Sequence, residues 1–249
     1  MIARIRRLGR AWGAAMRFLT TIPWGRWERV TPDDLGCAAA LFPWVGGLLG
    51  VAVWAVRWGV LAVGGSASLA AALALAAWVA LTGGLHLDGL MDAADGLFGG
   101  RSPEHRLEIM RDERAGAFGV LAAVLVLLVK YAALETAPAA GVIWAPVVGR
   151  WALTAAMAAF PYARKAGLGR MWFDQVDGRV LLAATAGVMW MGLVLAQPWL
   201  WAWWAVAAAA GWLAARWTLQ RVPGLTGDVY GALAELTEAL VLVLSALWA

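Results

Sequence analysis

The sequence predicts an all-α fold, a polytopic integral membrane helix bundle of about seven transmembrane helices with an Asp-rich cytoplasmic loop or helix. Three observations carry that expectation. The chain is 63% hydrophobic and only 14% charged, with 18 tryptophans and a mean hydropathy of +0.71, whereas soluble domains are about one-quarter charged. Apolar stretches of roughly 20 residues recur, each long enough to cross a hydrocarbon core of ~30 Å. Lys and Arg gather on alternate connections, as the positive-inside rule expects of a multi-pass chain. No soluble second domain and no internal repeat stand out, so residues 1–249 read as one membrane domain.

The elements follow in order. Residues 11–22 are too few to span, carry Arg17 and end at Pro23, which suits a segment lying in the interface. The segment lacks a small-residue cleavage site and is not read as a secretory signal. Spans are expected at 36–61, 68–85, 116–134, 139–160, 180–196, 199–215 and 231–248. The second and fifth are short and suit tilted, re-entrant or internally packed helices.

With seven spans, seventeen basic residues fall on one side. They include Arg4, Arg6, Arg7, Arg10, Arg17, Arg26 and Arg29 at the N-terminus, the arginines of 86–115, those of 161–179, and Arg216 and Arg221. The opposite connections, 63–67, 135–138 and 197–198, hold no Lys or Arg. The expectation is a cytoplasmic N-terminus with Ala249 opposite and the acid-rich 86–115 loop on the cytoplasmic side. The net charge of +4 is then a topology signal. It does not indicate nucleic acid, since no basic stripe is interleaved with exposed aromatics in a soluble domain. Cys37, the single cysteine, forms no disulfide framework. Tryptophans such as Trp199, Trp201, Trp203 and Trp204 read as belt and lipid-facing residues.

Seven of the sixteen acids lie within residues 86–119. On a helix, Asp88, Asp92 and Asp95 fall at i, i+4 and i+7 and share one face. Like charges at that spacing repel by a few tenths of a kcal/mol per pair. A hard divalent cation bridging substrate phosphates would offset this; a solvated acidic face is the alternative. Elsewhere, Arg150 interrupts an apolar span, which makes it a functional candidate or else a structural partner for a carbonyl or acid. Asp228, in the turn Gly224-Leu-Thr-Gly-Asp228, can cap the last helix or hold metal or a ribose hydroxyl. Glu235 and Glu238 follow inside the apolar stretch, with Glu235 on the face of Asp228. Pairing with Arg150 is their structural alternative.

The run His86-Leu-Asp88-Gly-Leu-Met-Asp92-Ala-Ala-Asp95-Gly resembles the cobalamin synthase (adenosylcobinamide-GDP ribazoletransferase) family. Leu107-Glu-Ile-Met-Arg111-Asp112, Gly116-Ala-Phe-Gly119, Phe18-Leu-Thr-Thr-Ile-Pro23 and Gly224-Leu-Thr-Gly-Asp228 with Glu235 are similar to it in the same order. Two positions depart from the common form, Leu87 where many members carry Glu and Glu113 where many carry Ser. The resemblance implies a transferase of late vitamin B12 assembly that joins adenosylcobinamide-GDP to α-ribazole, or its 5′-phosphate, and releases GMP. It also implies Mg²⁺ held by Asp88, Asp92 and Asp95, with Arg111, Arg114 and Arg150 on phosphate oxygens and Asp228 and Glu235 on substrate. Asp112, another carboxylate or His86 would serve as catalytic base, His86 reading more as a capping or supporting group. A homo-oligomer or an association with other corrinoid-assembly enzymes fits the same picture.

Three other readings remain open at this stage. A CDP-alcohol phosphotransferase usually has Asp-Gly-x-x-Ala-Arg, and here Met91 and Asp92 take the Ala-Arg places. An intramembrane prenyltransferase has two Asp-rich motifs, and here one cluster is dense. A transporter would line an ion path with Arg150, Glu235 and Glu238, but does not need seven acids in one loop.

Overall fold

The computed structural model describes residues 2–24 and 30–248. Arg26 and Arg29, counted above among the cytoplasmic charges, lie outside those residues. The described residues form twelve helices in order: α1 Ile2–Leu19, α2 Pro32–Ala40, α3 Phe42–Ala62, α4 Ala67–Thr82, α5 Leu85–Gly99, α6 Pro103–Ile109, α7 Ala117–Thr136, α8 Ala139–Ala159, α9 Leu168–Phe173, α10 Gly178–Leu195, α11 Trp199–Leu219 and α12 Gly227–Leu247. Among the described residues the only β-type pairing is an isolated bridge between Tyr162 and Leu225. The all-helical membrane bundle is the fold.

Among the described residues five helices are long and apolar enough to cross a membrane, α3, α7, α8, α10 and α12, and a sixth span arises if α4 and α5 count as one broken crossing. The expectation was seven. Of the two that fall short, α4 has 16 residues, too few for an upright crossing at 1.5 Å per residue. The other, α11, has 21 residues, but six are tryptophan and one is Arg216, and indole is less apolar than an aliphatic chain. The first expected span is divided. Helix α2 stops at Ala40 and α3 restarts beside Pro43, whose ring cannot continue a helix laid down before it.

The α4–α5 pair bends by 87°. Gly83 and Gly84 take φ of +62° and +69° in succession, a left-handed corner that costs other residues about 1–2 kcal/mol each. The corner turns α5 away from α4 and across the end of the bundle. An alanine at Gly84 would meet no neighbouring atom within 4 Å, so its effect is backbone strain alone. Gly84→Ala should therefore lower stability by about 1 kcal/mol. Gly59→Ala, equally free of neighbours but inside α3, should raise it by up to about 1 kcal/mol. Thermal melts of the two variants in detergent check the contrast, and equal melting temperatures would remove the strained corner.

The two ends of the bundle are distinct. At one end Arg57 donates to the carbonyls of Ala137 (2.8 Å) and Glu135 (3.0 Å), and Ser68 Oγ donates to Glu135 Oε1 at 2.5 Å. At the other, Thr21 N donates to Leu81 O at 2.8 Å, and helix α1 packs its Ala11, Ala15 and Leu19 into the core. Arg10 of α1 grips Asp34 of α2 at 2.8 Å. The N-terminal segment, expected to lie only in the interface, is thus docked on the bundle.

Candidate functional site

The site is built on the seam between α5 and α12. A Cβ on Gly89 would stand 3.0 Å from Asp228 O and 3.1 Å from its Cα; one on Gly231 would stand equally close to His86 O and Cα. Only glycine permits backbones that near. The contact sets His86 and Asp88 beside Asp228. The turn preceding α12 is stitched to the segment after α8, with Ala163 N donating to Leu225 O and Leu225 N to Pro161 O, both at 2.8 Å. That pairing delivers Arg164, whose Nη2 donates to Asp228 Oδ2 at 2.5 Å and to Met110 O at 3.0 Å. Thr226, not Asp228, caps α12, its hydroxyl accepting from Val229 N at 3.3 Å. Asp228, in the first turn, is not spent on capping the helix and instead pairs with Arg164. These residues enclose a chamber of about 220 Å³ whose walls include Phe18, His86, Asp88, Tyr162, Arg164 and Tyr230.

The three expected metal carboxylates share α5 but not an environment. Asp88 lines the chamber. Asp92, one turn on, is half-buried and lies within electrostatic reach of Asp228, Asp88 and Asp95, with Arg164 as the positive group. Among the described residues neither Asp88 nor Asp92 takes a side-chain hydrogen bond, so both retain free lone pairs. Asp95 is different. It is buried, and its oxygens accept from Gly116 N at 2.8 Å and Gly119 N at 2.9 Å. Those N–H groups belong to the start of α7, which has no partners of its own and favours negative charge.

The remaining candidates divide by location. Arg111 and Arg114 are exposed on the loop after α6. Arg114 is clamped to Asp112 at 2.6 and 2.9 Å, which holds the Asp112 carboxyl at about 2. A group that acidic is a poor proton acceptor near neutral pH. His86 is 5% exposed and lines the chamber, with both ring nitrogens lacking a partner among the described residues.

Arg150 and Glu235 are not chamber walls. They belong to a buried quartet in which Arg150 of α8 pairs with Glu238, while Lys130 of α7 meets Glu235 at 2.6 Å and Glu238 at 2.5 Å. Lys130 also sits 4.6 Å from the Trp78 ring centroid. Two cations and two carboxylates balance, as buried charges require. The quartet is the structural pairing that stood as the alternative for Glu238 and Arg150, with Lys130 added.

Sequence reasoning passed over Arg164, Lys130, Tyr162 and Tyr230. Lys130 carried the same intramembrane signal that singled out Arg150. Arg164 offered only its place in a basic loop, and its role depends on a two-bond pairing between segments 62 residues apart (163 and 225).

A membrane helix bundle with free carboxylates and an arginine at one polar chamber defines a polytopic membrane transferase. The chain belongs to the cobalamin-5-phosphate synthase family, whose model matches residues 11–246. It is similar to the adenosylcobinamide-GDP ribazoletransferase of Syntrophobacter fumaroxidans, 42% identical over 92% of this chain and 95% of that protein. It is likewise similar to proteins of the same description from Stutzerimonas stutzeri, at 41% over 92% and 94%, and Thermosynechococcus vestitus, at 38% over 96% and 97%. No solved structure matches.

Proposed function

We propose that this chain transfers the adenosylcobinamide phosphate moiety of adenosylcobinamide-GDP to α-ribazole, or to its 5′-phosphate, and releases GMP, the last stage of cobalamin assembly. Membership of the family and the shared description of its relatives support the reaction. The observation that carries the site is the pair Asp88 and Asp92, free of hydrogen bonds among the described residues and set beside the Asp228–Arg164 pair.

In the reaction a ribose hydroxyl oxygen bonds to the phosphorus that bears the cobinamide. The bond from that phosphorus to the bridging oxygen breaks, and GMP leaves with the electron pair. The hydroxyl proton goes to a chamber carboxylate, Asp88 or Asp92, since His86 is buried with Arg150 and Lys130 as its charged neighbours, where a further positive charge is costly. Arg164 and Arg111 meet the phosphate oxygens from the chamber wall and the adjoining loop. Such a transfer rests on positioning and charge neutralisation.

The donors suit Mg²⁺, a hard ion commonly held by one or two carboxylates plus substrate phosphates. Asp88 and Asp92 would hold it, with Asp228 next to them. Among the described residues no three His, Cys, Asp or Glu side chains are placed to close on one ion, so substrate phosphates would complete the shell. When bound, the ion neutralises charge developing on the pyrophosphate. Asp95 has both oxygens committed to α7 and serves instead as its cap.

GMP release from adenosylcobinamide-GDP plus α-ribazole by purified protein in lipid vesicles tests the reading, and no GMP in the presence of millimolar Mg²⁺ would end it. Arg164→Ala should lower that rate about 10- to 100-fold while the protein still inserts, because a charge-assisted hydrogen bond contributes about 1.5–3 kcal/mol. A rate within threefold of the parent would exclude Arg164 from the reaction. The site would face the cytoplasm of a bacterial inner membrane. A reporter fused after Ala249 should then be active only on the far side of that membrane, and cytoplasmic activity would show an even number of crossings.

A further inference from the structure

We propose that the chamber between α5 and α12 is the subsite for a flat bicyclic nitrogen heterocycle, the benzimidazole of α-ribazole, and that Tyr230 Oη donates to its free ring nitrogen. The proposal rests on the transferase reading and adds the substrate group that the chamber takes. One side of it is flat and largely apolar, formed by Phe18, Leu153, Met157, Tyr162 and Tyr230, opposite the charged groups. The rings are held in place. Tyr230 stacks on Tyr162 at 5.8 Å, and Tyr162 on Phe173 at 5.5 Å. Phe18 lies 5.7 Å from Phe42 and 4.7 Å from Trp172. Fixed aromatic faces favour offset stacking of another ring.

On this aromatic side Tyr230 is 2% exposed, and its hydroxyl has no hydrogen-bond partner among the described residues. A buried hydroxyl is ordinarily satisfied, so the missing partner is supplied by what enters. Size narrows the guest. About 220 Å³ is below the ~300–1,000 Å³ of pockets for drug-sized ligands, which leaves room for one ring system and not a corrinoid. Chemistry narrows it further. The riboside of a benzimidazole offers one free ring nitrogen, an acceptor that matches a phenol donor. Guanine presents N1–H and an amino group side by side and needs two adjacent acceptors. Of the two wall carboxylates, Asp228 already takes Arg164 and Thr226, and Asp88 is the one directed to the metal and phosphates in the transferase reading. Asp88, Asp228 and Arg164 border the same chamber, so a base seated there carries its ribose to the phosphate-directed groups.

The test uses full-length protein in lipid nanodiscs, parent against Tyr230→Phe. Calorimetric titration with α-ribazole alone should show about tenfold weaker binding for the variant. In turnover, KM for α-ribazole should rise about tenfold, with KM for adenosylcobinamide-GDP and kcat each within twofold of the parent. Phe18→Leu, which removes a wall ring without touching α12, should weaken α-ribazole binding several-fold and covers the case in which Tyr230→Phe fails to fold. Unchanged Kd for α-ribazole in every variant that folds would overturn the proposal, as would a rise confined to KM for adenosylcobinamide-GDP, which would place guanine there. Weakened binding in a protein that releases no GMP would retain the subsite and remove the transferase reading. Normal GMP release with unchanged Kd would do the reverse.

Discussion

Asp88→Asn and Asp92→Asn should each lower GMP release about 30- to 1,000-fold while leaving the melting temperature within about 2 °C of the parent. Both carboxylates carry charge that no hydrogen bond among the described residues uses, so the fold does not draw on it. Removing one group that stabilises a developing phosphate charge typically costs about 2–4 kcal/mol of transition-state energy. Asp95→Asn should behave differently. Its oxygens accept from Gly116 N and Gly119 N, and an amide keeps only one acceptor atom for two donors. A helix cap of this kind contributes about 0.5–2 kcal/mol, so the loss should appear in the melting curve as well as the rate. Initial rates and detergent melts of the three variants decide the matter. Rates within tenfold of the parent for both Asp88→Asn and Asp92→Asn would remove these two residues from the chemistry.

Glu238→Ala should be the most destabilising single change in the bundle. Glu238 is fully buried and takes both Arg150 and Lys130. Its loss leaves the Arg150 guanidinium without its carboxylate and Lys130 with Glu235 alone. Breaking a buried pair by removing one partner costs about 3–5 kcal/mol. Adding Arg150→Met to Glu238→Leu should recover much of that loss, since a well-packed apolar pair can match a buried ion pair. The double-mutant cycle, read by thermal melts in one detergent, separates pairing from packing. A Glu238→Ala protein that melts with the parent would show that the quartet holds nothing together.

Much of the architecture was legible because bilayer thickness and helix rise impose one length on every crossing. The stretches at 116–134 and 139–160 became α7 and α8 with ends moved by a residue or two. What length could not express was breakage. Pro43 sits inside an apolar run that hydropathy reads as continuous, and Gly83-Gly84 turns at a right angle a path that composition alone extends from 68 to 85. For the site, helical spacing put Asp88, Asp92 and Asp95 on one face but could not say which N–H groups would arrive from elsewhere. Gly116 and Gly119 do so from the start of α7, and Asp95 leaves the ligand face for them. Arg164 was hidden for the related reason that its place is set by the pairing of residues 161–163 with 225. Arg150 and Glu238 were each visible as charges in lipid, and one of the alternatives held open was that they answer each other.

The quartet also bears on biogenesis. Its cations are encoded early, on α7 and α8, and its anions late, on α12. A nascent chain released before Gly227 would carry Lys130 and Arg150 in the bilayer with no acid to meet them, at about 2.5–3.5 kcal/mol each on insertion scales. The last helix therefore acts as the closing counter-ion for two that precede it. Chains truncated ahead of it should be unstable in the membrane and readily cleared by quality-control proteases, even though every crossing but the last has already been made.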